Sequence, residues 1–207
     1  MTDTRKEGIF AHWPNRITAG RFVASLALFT LLAVEGVTGE PRRGALQVSF
    51  WLFIAIATTD LLDGWLARRG GQETAFGRIA DPFVDKVLVL GTMIFLAVME
   101  WSRPWFPAWI IVVVLAREFL VTGIRGYVES LGREFPADWF GKVKMTIQCL
   151  AIGFVVGQAA FVWSADLRHF WGAVAHVLVW GTLVASIGSG ITYVAKTKRL
   201  LDAARAG

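Results

Sequence analysis

Two pairs of aspartates stand at helical spacing in the stretch DLLDGWLARRGGQETAFGRIADPFVDK. Asp60 and Asp63 are at i,i+3 and Asp81 and Asp85 at i,i+4, so each pair shares one face of a helix. The pairs flank a short connection between two long apolar runs. An antiparallel return would therefore bring all four carboxylates to one depth. Ionised carboxylates held that close raise one another's pKa and drive the helices apart unless protons or cations intervene. An all-oxygen donor set suits hard divalent ions, Mg2+ or Mn2+, and the stretch contains no His or Cys to favour softer metals. Four aspartates are enough to share two such ions, which as a pair clamp the attacking and leaving oxygens of a phosphoryl displacement.

The residues between the pairs suit the same chemistry. Gly64 follows Asp63 and Ala67 lies one turn from it, so that face is stripped of bulk. Arg68 offers a planar fork of donors for phosphate, and Gly77 clears space one turn before Asp81. Carboxylates for metal, small residues and an arginine describe a pyrophosphate site. The bland alternative, helix-end charges facing water, fits any one of these aspartates taken alone.

The elements that must carry these residues are membrane helices. The 207-residue chain is 55% hydrophobic and only 18% charged, with a mean hydropathy of +0.53, which excludes an ordinary soluble domain. Residues 17–34, 45–62, 83–99, 104–124, 145–163 and 170–195 read as six membrane helices, the third beginning near Pro82. The expected fold is an all-α integral membrane protein with six transmembrane helices. Its expected divisions are an interfacial segment over 1–13, a membrane domain over 14–198 and a tail over 199–207. Pro14 and Asn15 are expected to open the first helix, the asparagine as its cap. Of the 21 Lys and Arg, only Arg42, Arg43, Arg103 and Arg168 belong to the loops of one side. The positive-inside bias makes the other side, with both termini and the aspartates, cytoplasmic. The net charge of +5 is then a topology signal and an attraction to anionic lipid, not a sign of nucleic-acid binding.

Other features need no chemistry. The first apolar run is too long for a signal peptide. The single cysteine, Cys149, rules out an intrachain disulfide and reads as an apolar filler. Trp101, Trp105, Trp163 and Trp171 form the aromatic belt expected at headgroup level. Gly188 and Gly190 in ASIGSGITY indicate close helix approach.

The remaining cytoplasmic-side charges bear on a second substrate. Arg117 and Glu118 interrupt the fourth span within LAREFLVTGIRGYVES, and Arg125 recurs on roughly the same face. Lys142 and Lys144 open the fifth span in FGKVKMTIQ. The Arg117–Glu118 pair also fits a structural role, each charge offsetting the other's desolvation, and the lysines also fit snorkelling to headgroups. A cationic cluster beside a pyrophosphate site is what a phosphorylated acceptor requires.

The spacing D-x2-D-G-x2-A-R-x8-G-x3-D-x3-D, filled by Asp60, Asp63, Gly64, Ala67, Arg68, Gly77, Asp81 and Asp85, resembles the signature of the CDP-alcohol phosphatidyltransferases. That resemblance implies a six-helix membrane fold, usually homodimeric, with the active site at the cytoplasmic face. It implies transfer of a phosphatidyl group from a CDP-lipid to an alcohol with release of CMP. Asp60, Asp63, Asp81 and Asp85 would hold two divalent ions, and Asp85 would also deprotonate the acceptor hydroxyl. Gly64, Ala67, Arg68 and Gly77 would line the cytidine diphosphate pocket.

Three further motifs, PNRITAGR, ARE with a following GIR, and GKVKMTIQ, resemble the bacterial branch whose acceptor is glycerol 3-phosphate. The implied reaction joins CDP-diacylglycerol to sn-glycerol 3-phosphate in a bacterial inner membrane. Arg117, Arg125, Lys142 and Lys144 are then the candidates for the acceptor phosphate. Met145 stands where that branch carries threonine, and Thr146 shifts the hydroxyl by one residue. Rival readings are another acceptor (inositol phosphate, serine or phosphatidylglycerol), an inactive scaffold of the same fold, or a transporter or cation pathway. The last is opposed by the crowding of acidic residues at one face of the bilayer.

Overall fold

The computed structural model describes residues 13–37, 41–70, 75–132, 139–161 and 163–205, and the side chains of 60–70 lie outside it. The described residues form six α-helices and no strand: α1 (Trp13–Val37), α2 (Arg43–Gly70), α3 (Ala75–Val98), α4 (Ala108–Ser130), α5 (Trp139–Ala160) and α6 (Ala165–Arg205). Three of them, α1, α5 and α6, are long and apolar enough to cross a membrane by length and composition. In α3 and α4 the charges needed at the site interrupt the apolar run, with Asp81, Asp85 and Lys86 on one and Arg117, Glu118 and Arg125 on the other.

The helices pack as a ring in the order α1, α2, α5, α6, α4, α3 and back to α1, with α3 also touching α5. Short connections reverse the chain at each turn, so the beginnings of α1, α3 and α5 meet the ends of α4 and α6. The apolar core includes Leu28, Phe53, Leu88, Met93, Ile110 and Ile152, all buried. The outer surface is apolar as well: Val23, Trp51, Ile79, Val112, Phe119 and Val184 are exposed. A bundle with Leu and Val inside and Val, Ile and Trp outside is built for hydrocarbon, where helices must satisfy their own polar groups. The hydroxyls of Ser25, Ser49, Thr92 and Thr182 accordingly donate to carbonyls one turn back, at 2.7–3.0 Å.

Several boundaries differ from the sequence-based expectation. α1 already begins at Trp13, so Asn15 is not its cap but a buried residue of its first turn. α3 starts at Ala75 and carries Pro82 in its interior, where the ring removes one ladder hydrogen bond. The connection expected after Arg125 is shorter because α4 continues to Ser130. It ends at Gly132, whose φ of +71° is the left-handed geometry that closes helices. Its N–H bonds the Glu129 carbonyl at 2.9 Å. α6 runs on as helix to Arg205; at about 60 Å it outruns a hydrocarbon core of about 30 Å.

At the end away from the aspartates, Trp163 stacks on Trp171 with centroids 4.6 Å apart and Trp105 lies 4.3 Å from His176. There Glu35, fully covered, receives Arg42 through its backbone N–H at 2.8 Å and its Nη2 at 2.7 Å. That bonding holds the Arg42 guanidinium above its ordinary pKa.

Candidate active site

At the other end of the bundle α1 and α3 lie side by side, and the first helix presents a polar stripe. Asn15, Thr18, Arg21 and Ser25 recur every three or four residues and all are buried. The stripe meets the second aspartate pair directly. Thr18 Oγ1 donates to Asp81 at 2.5 Å, and the Arg21 guanidinium forms an ion pair with Asp85. Both aspartates are half-buried and Gly77 is buried. Asp60, Asp63, Gly64, Ala67 and Arg68 are carried by the last turns of α2. Their side chains lie outside the described residues, so the meeting of the two pairs lies outside them too.

Among the described residues no group of three or more His, Cys, Asp and Glu is placed to hold a metal, since only half of the predicted ligand set falls within them. What is described fits a hard cation. Asp81 and Asp85 offer carboxylate oxygens one turn apart, and the three histidines and Cys149 belong to other parts of the chain. Thr18 and Arg21 hold the two carboxylates in place, as outer partners of metal ligands do.

Asp85 also borders a cavity of about 640 Å3 enclosed by α3, α4, α5 and α6. Its other charged lining is Lys86, Arg117, Arg125 and Lys144, together with the buried Glu118 and the exposed Glu129. Glu118 is buried and bonds two of these cations, Arg117 Nη1 at 2.7 Å and Lys144 Nζ; a third, Lys86 Nζ, is 3.9 Å away. Lys86 also bonds the Thr122 hydroxyl at 2.5 Å. From α6, Ser189 accepts from Arg117 and the Tyr193 hydroxyl accepts from Arg125 at 2.9 Å.

Donors remain. Arg117 Nε, Arg125 Nε and Gln148 Nε2 are buried and find no acceptor among the described residues, and all three side chains line the cavity. Leaving a buried donor unmet costs about 1–3 kcal/mol. The cations Lys86, Arg117, Arg125 and Lys144 around one concave space make it complementary to an anion with several acceptor oxygens.

The predicted acceptor residues divide. Arg117, Arg125 and Lys144 come together on the cavity, and Arg117 also forms the pair with Glu118. Lys142 does not join them: it is exposed, and its carbonyl only accepts from Thr146 at 3.1 Å. Two residues along an α-helix turn a side chain by about 200°, so Lys142 and Lys144 cannot share a face. A single residue turns a side chain by about 100°, and that step separates Met145, which lines the cavity, from Thr146, which is exposed. The shifted hydroxyl therefore leaves the cavity. Neither glycine marks an unusually close approach: a Cβ at Gly190 would meet Arg117 Cγ at an ordinary 3.4 Å, and Gly188 faces open space.

Sequence reasoning missed Thr18, Arg21, Lys86, Gln148, Ser189 and Tyr193. The signal for the first two was present in PNRITAGR, where polar residues recur at helical spacing in an apolar span. Gln148 closes GKVKMTIQ on the face of Lys144, and Lys86 directly follows Asp85. Ser189 and Tyr193 had no such marker beyond lying near Gly190.

Comparison with known proteins gives this arrangement its relatives. A CDP-diacylglycerol–glycerol-3-phosphate 3-phosphatidyltransferase of Bacillus subtilis (strain 168) is 29% identical over 195 residues, covering 88% of this chain and 93% of the relative. The protein of the same name from Escherichia coli (strain K12) is 34% identical over 145 residues, covering 69% of this chain and 75% of its own length. The sequence profile of CDP-alcohol phosphatidyltransferase matches residues 11–188, from just before α1 to the middle of α6. That span takes in the aspartate pairs, the polar stripe facing them and most of the cationic cavity, and the chain belongs to the CDP-alcohol phosphatidyltransferase family.

Proposed function

We propose that the protein transfers the phosphatidyl group of CDP-diacylglycerol to sn-glycerol 3-phosphate, forming phosphatidylglycerol phosphate and releasing CMP. The observation that carries this reading is the cavity beside Asp85, where Arg117, Arg125 and Lys144 converge. Relatives named for the same reaction support it. Glycerol 3-phosphate has the required shape of charge: a phosphate to fill the cationic end, and a primary hydroxyl a short distance away to meet a base.

Arg117, Arg125 and Lys144 bind the acceptor phosphate, and Asp85 takes the proton from the primary hydroxyl. The hydroxyl oxygen bonds to the lipid-side phosphorus of CDP-diacylglycerol. The bond from that phosphorus to the bridging oxygen breaks, and CMP leaves with the electron pair. Gly64, Ala67, Arg68 and Gly77 line the cytidine diphosphate pocket. Asp60, Asp63, Asp81 and Asp85 would hold two divalent ions, Mg2+ or Mn2+, which when bound supply charge neutralisation at the pyrophosphate. Thr18 and Arg21 keep the α3 carboxylates oriented toward that site.

In this reading all six helices span a bacterial inner membrane, in a catalytic domain over 14–198 preceded by an interfacial segment over 1–13 and followed by a cytoplasmic end over 199–207. The helices α2, α3 and α4 have 28, 24 and 23 residues, long enough at 1.5 Å per residue to cross about 30 Å. Asp85 and Lys86 of α3 and the charges of α4 face the cavity, and both helices expose apolar residues outward, which supports the six-span reading. The positive-inside bias puts the site and both termini in the cytoplasm, and the enzyme works as a homodimer.

The test is CMP release by purified protein supplied with CDP-diacylglycerol and a panel of alcohols. Glycerol 3-phosphate is expected to be turned over best. Equal or faster turnover of inositol phosphate, serine or phosphatidylglycerol sinks the acceptor assignment. Absence of CMP release with every alcohol returns the chain to the scaffold or cation-pathway readings.

A further inference from the structure

One side chain touches both arginines of the cavity. Tyr193 rises from α6, is 2% exposed and lines the cavity wall. Its hydroxyl accepts from Arg125 Nη2 at 2.9 Å, while the Arg117 guanidinium carbon sits 5.5 Å from the centroid of its ring. Two cations thus use two different parts of one neutral group: the oxygen at the ring's edge and the electron-rich face. Around this residue α6 is shaped for Arg117. Ser189, one turn earlier, accepts from its Nη2, and Gly190 lies beside its aliphatic stem.

The neutrality of Tyr193 matters. Arg117 and Arg125 lie two turns apart on α4, and both are long side chains with many rotamers. A carboxylate would fix them but would also consume their charge, as Glu118 does for Arg117 and Lys144. A phenol fixes Arg125 and leaves its charge for a ligand, while its ring face steadies Arg117, already paired with Glu118. Each arginine keeps its buried Nε without an acceptor among the described residues.

We propose that Tyr193 is a positioning residue for the acceptor phosphate: by bonding Arg125 at its hydroxyl and Arg117 at its ring face, it presets the two guanidinium groups at the spacing a phosphate requires. The proposal rests on the acceptor reading given above. It acts before the chemical step, on acceptor binding, and leaves the nucleotide-lipid side of the site alone.

Two variants separate its parts. Tyr193→Phe keeps the ring and its packing against Val121 and Val128 but removes the hydroxyl. Tyr193→Leu removes both. In steady-state assays of the purified full-length enzyme, Tyr193→Phe is expected to raise KM for glycerol 3-phosphate about tenfold, the scale of one lost hydrogen bond to a charged group. Tyr193→Leu, which also loses the cation–π contact, is expected to raise it by about a hundredfold. For Tyr193→Phe, kcat and KM for CDP-diacylglycerol stay within about twofold of wild type, the pattern of lost ground-state binding. With Arg125→Ala already in place, adding Tyr193→Phe changes KM by less than about twofold, since coupled residues are not additive.

A rise in both KM values together, a fall in kcat alone, or full multiplication of the two effects in the double variant overturns the proposal. Thermal melting of Tyr193→Phe close to wild type keeps misfolding out of the comparison. If wild type prefers a different phosphorylated alcohol, the acceptor reading falls while the Tyr193 split is read on that alcohol's KM. If it prefers an alcohol without phosphate, both fall.

Discussion

Glu35 and Glu118 are both buried carboxylates bonded to arginine, one at each end of the bundle. Around Glu35 the donors are aimed at the carboxylate: Arg42 gives it a backbone N–H, Nε and Nη2 at 2.8, 3.1 and 2.7 Å. The result joins the end of α1 to the start of α2. Around Glu118 the donors outnumber what one carboxylate can receive. It bonds Arg117 and Lys144 and stands near Lys86, while Arg125 turns to a phenol and three buried donors meet no acceptor among the described residues. The same residue type closes a joint in one place and leaves a positively charged space in the other. What distinguishes a site from a staple here is the surplus of donors, not the presence of a buried ion pair.

The largest effect is expected at the carboxylate facing that surplus. Asp85→Asn keeps the shape and the hydrogen-bonding reach of the side chain but removes its capacity to take a proton. CMP release is expected to fall by about a thousandfold, the scale of general-base catalysis, with a lower melting temperature because the buried Arg21 loses its ion pair. Activity retained in this variant would remove Asp85 from its role and leave the cavity a binding feature only.

Glu118→Gln tests whether the surplus is organised. Glutamine offers one carbonyl oxygen where the carboxylate offered two, so Lys144 and Arg117 lose a charged anchor within a buried setting. KM for glycerol 3-phosphate is expected to rise about tenfold, with a lower melting temperature, since breaking a buried ion pair costs more than an exposed one. A lower melting temperature with an unchanged KM would make Glu118 a staple like Glu35 and erase the distinction between the two ends.

The helical placement of the aspartates was legible in the sequence because it is local. Asp60, Asp63, Asp81 and Asp85 sit in two helical turns, and spacing alone tells which of them share a face. The six helices were legible from apolar runs, although their ends were not: α4 and α6 continue past the hydrophobic stretch because charged residues such as Arg125 and Lys196 still favour helix. The cavity was legible only in part, because it is assembled across four helices. Arg117, Arg125 and Lys144 announce themselves as charges in apolar surroundings, whereas the roles of Ser189 and Tyr193 depend on α6 packing beside α4, which no spacing within α6 encodes. Lys142 and Lys144 show the converse error. Both look equally suited as cations, and only the rotation between them decides which one faces inward.

The smallest expected effect on turnover is at the other glutamate, and it is the most direct check of the contrast. Glu35→Gln weakens the bonds from Arg42 that tie α1 to α2 but touches nothing that lines the cavity. Glu35 also belongs to a helix end packed on Met99 and the connection after α3, as the contact of Gly36 with that methionine indicates. The change should therefore appear as a melting temperature lower by a few degrees, while kcat and both KM values stay within about twofold of wild type, as expected for sites that do not share partners. A shift in KM for glycerol 3-phosphate would mean that α1 transmits strain along its length, from Glu35 to the Arg21–Asp85 pair at its other end. The two ends would then be one coupled system, and the surplus of donors around Glu118 would no longer explain on its own why the site lies where it does.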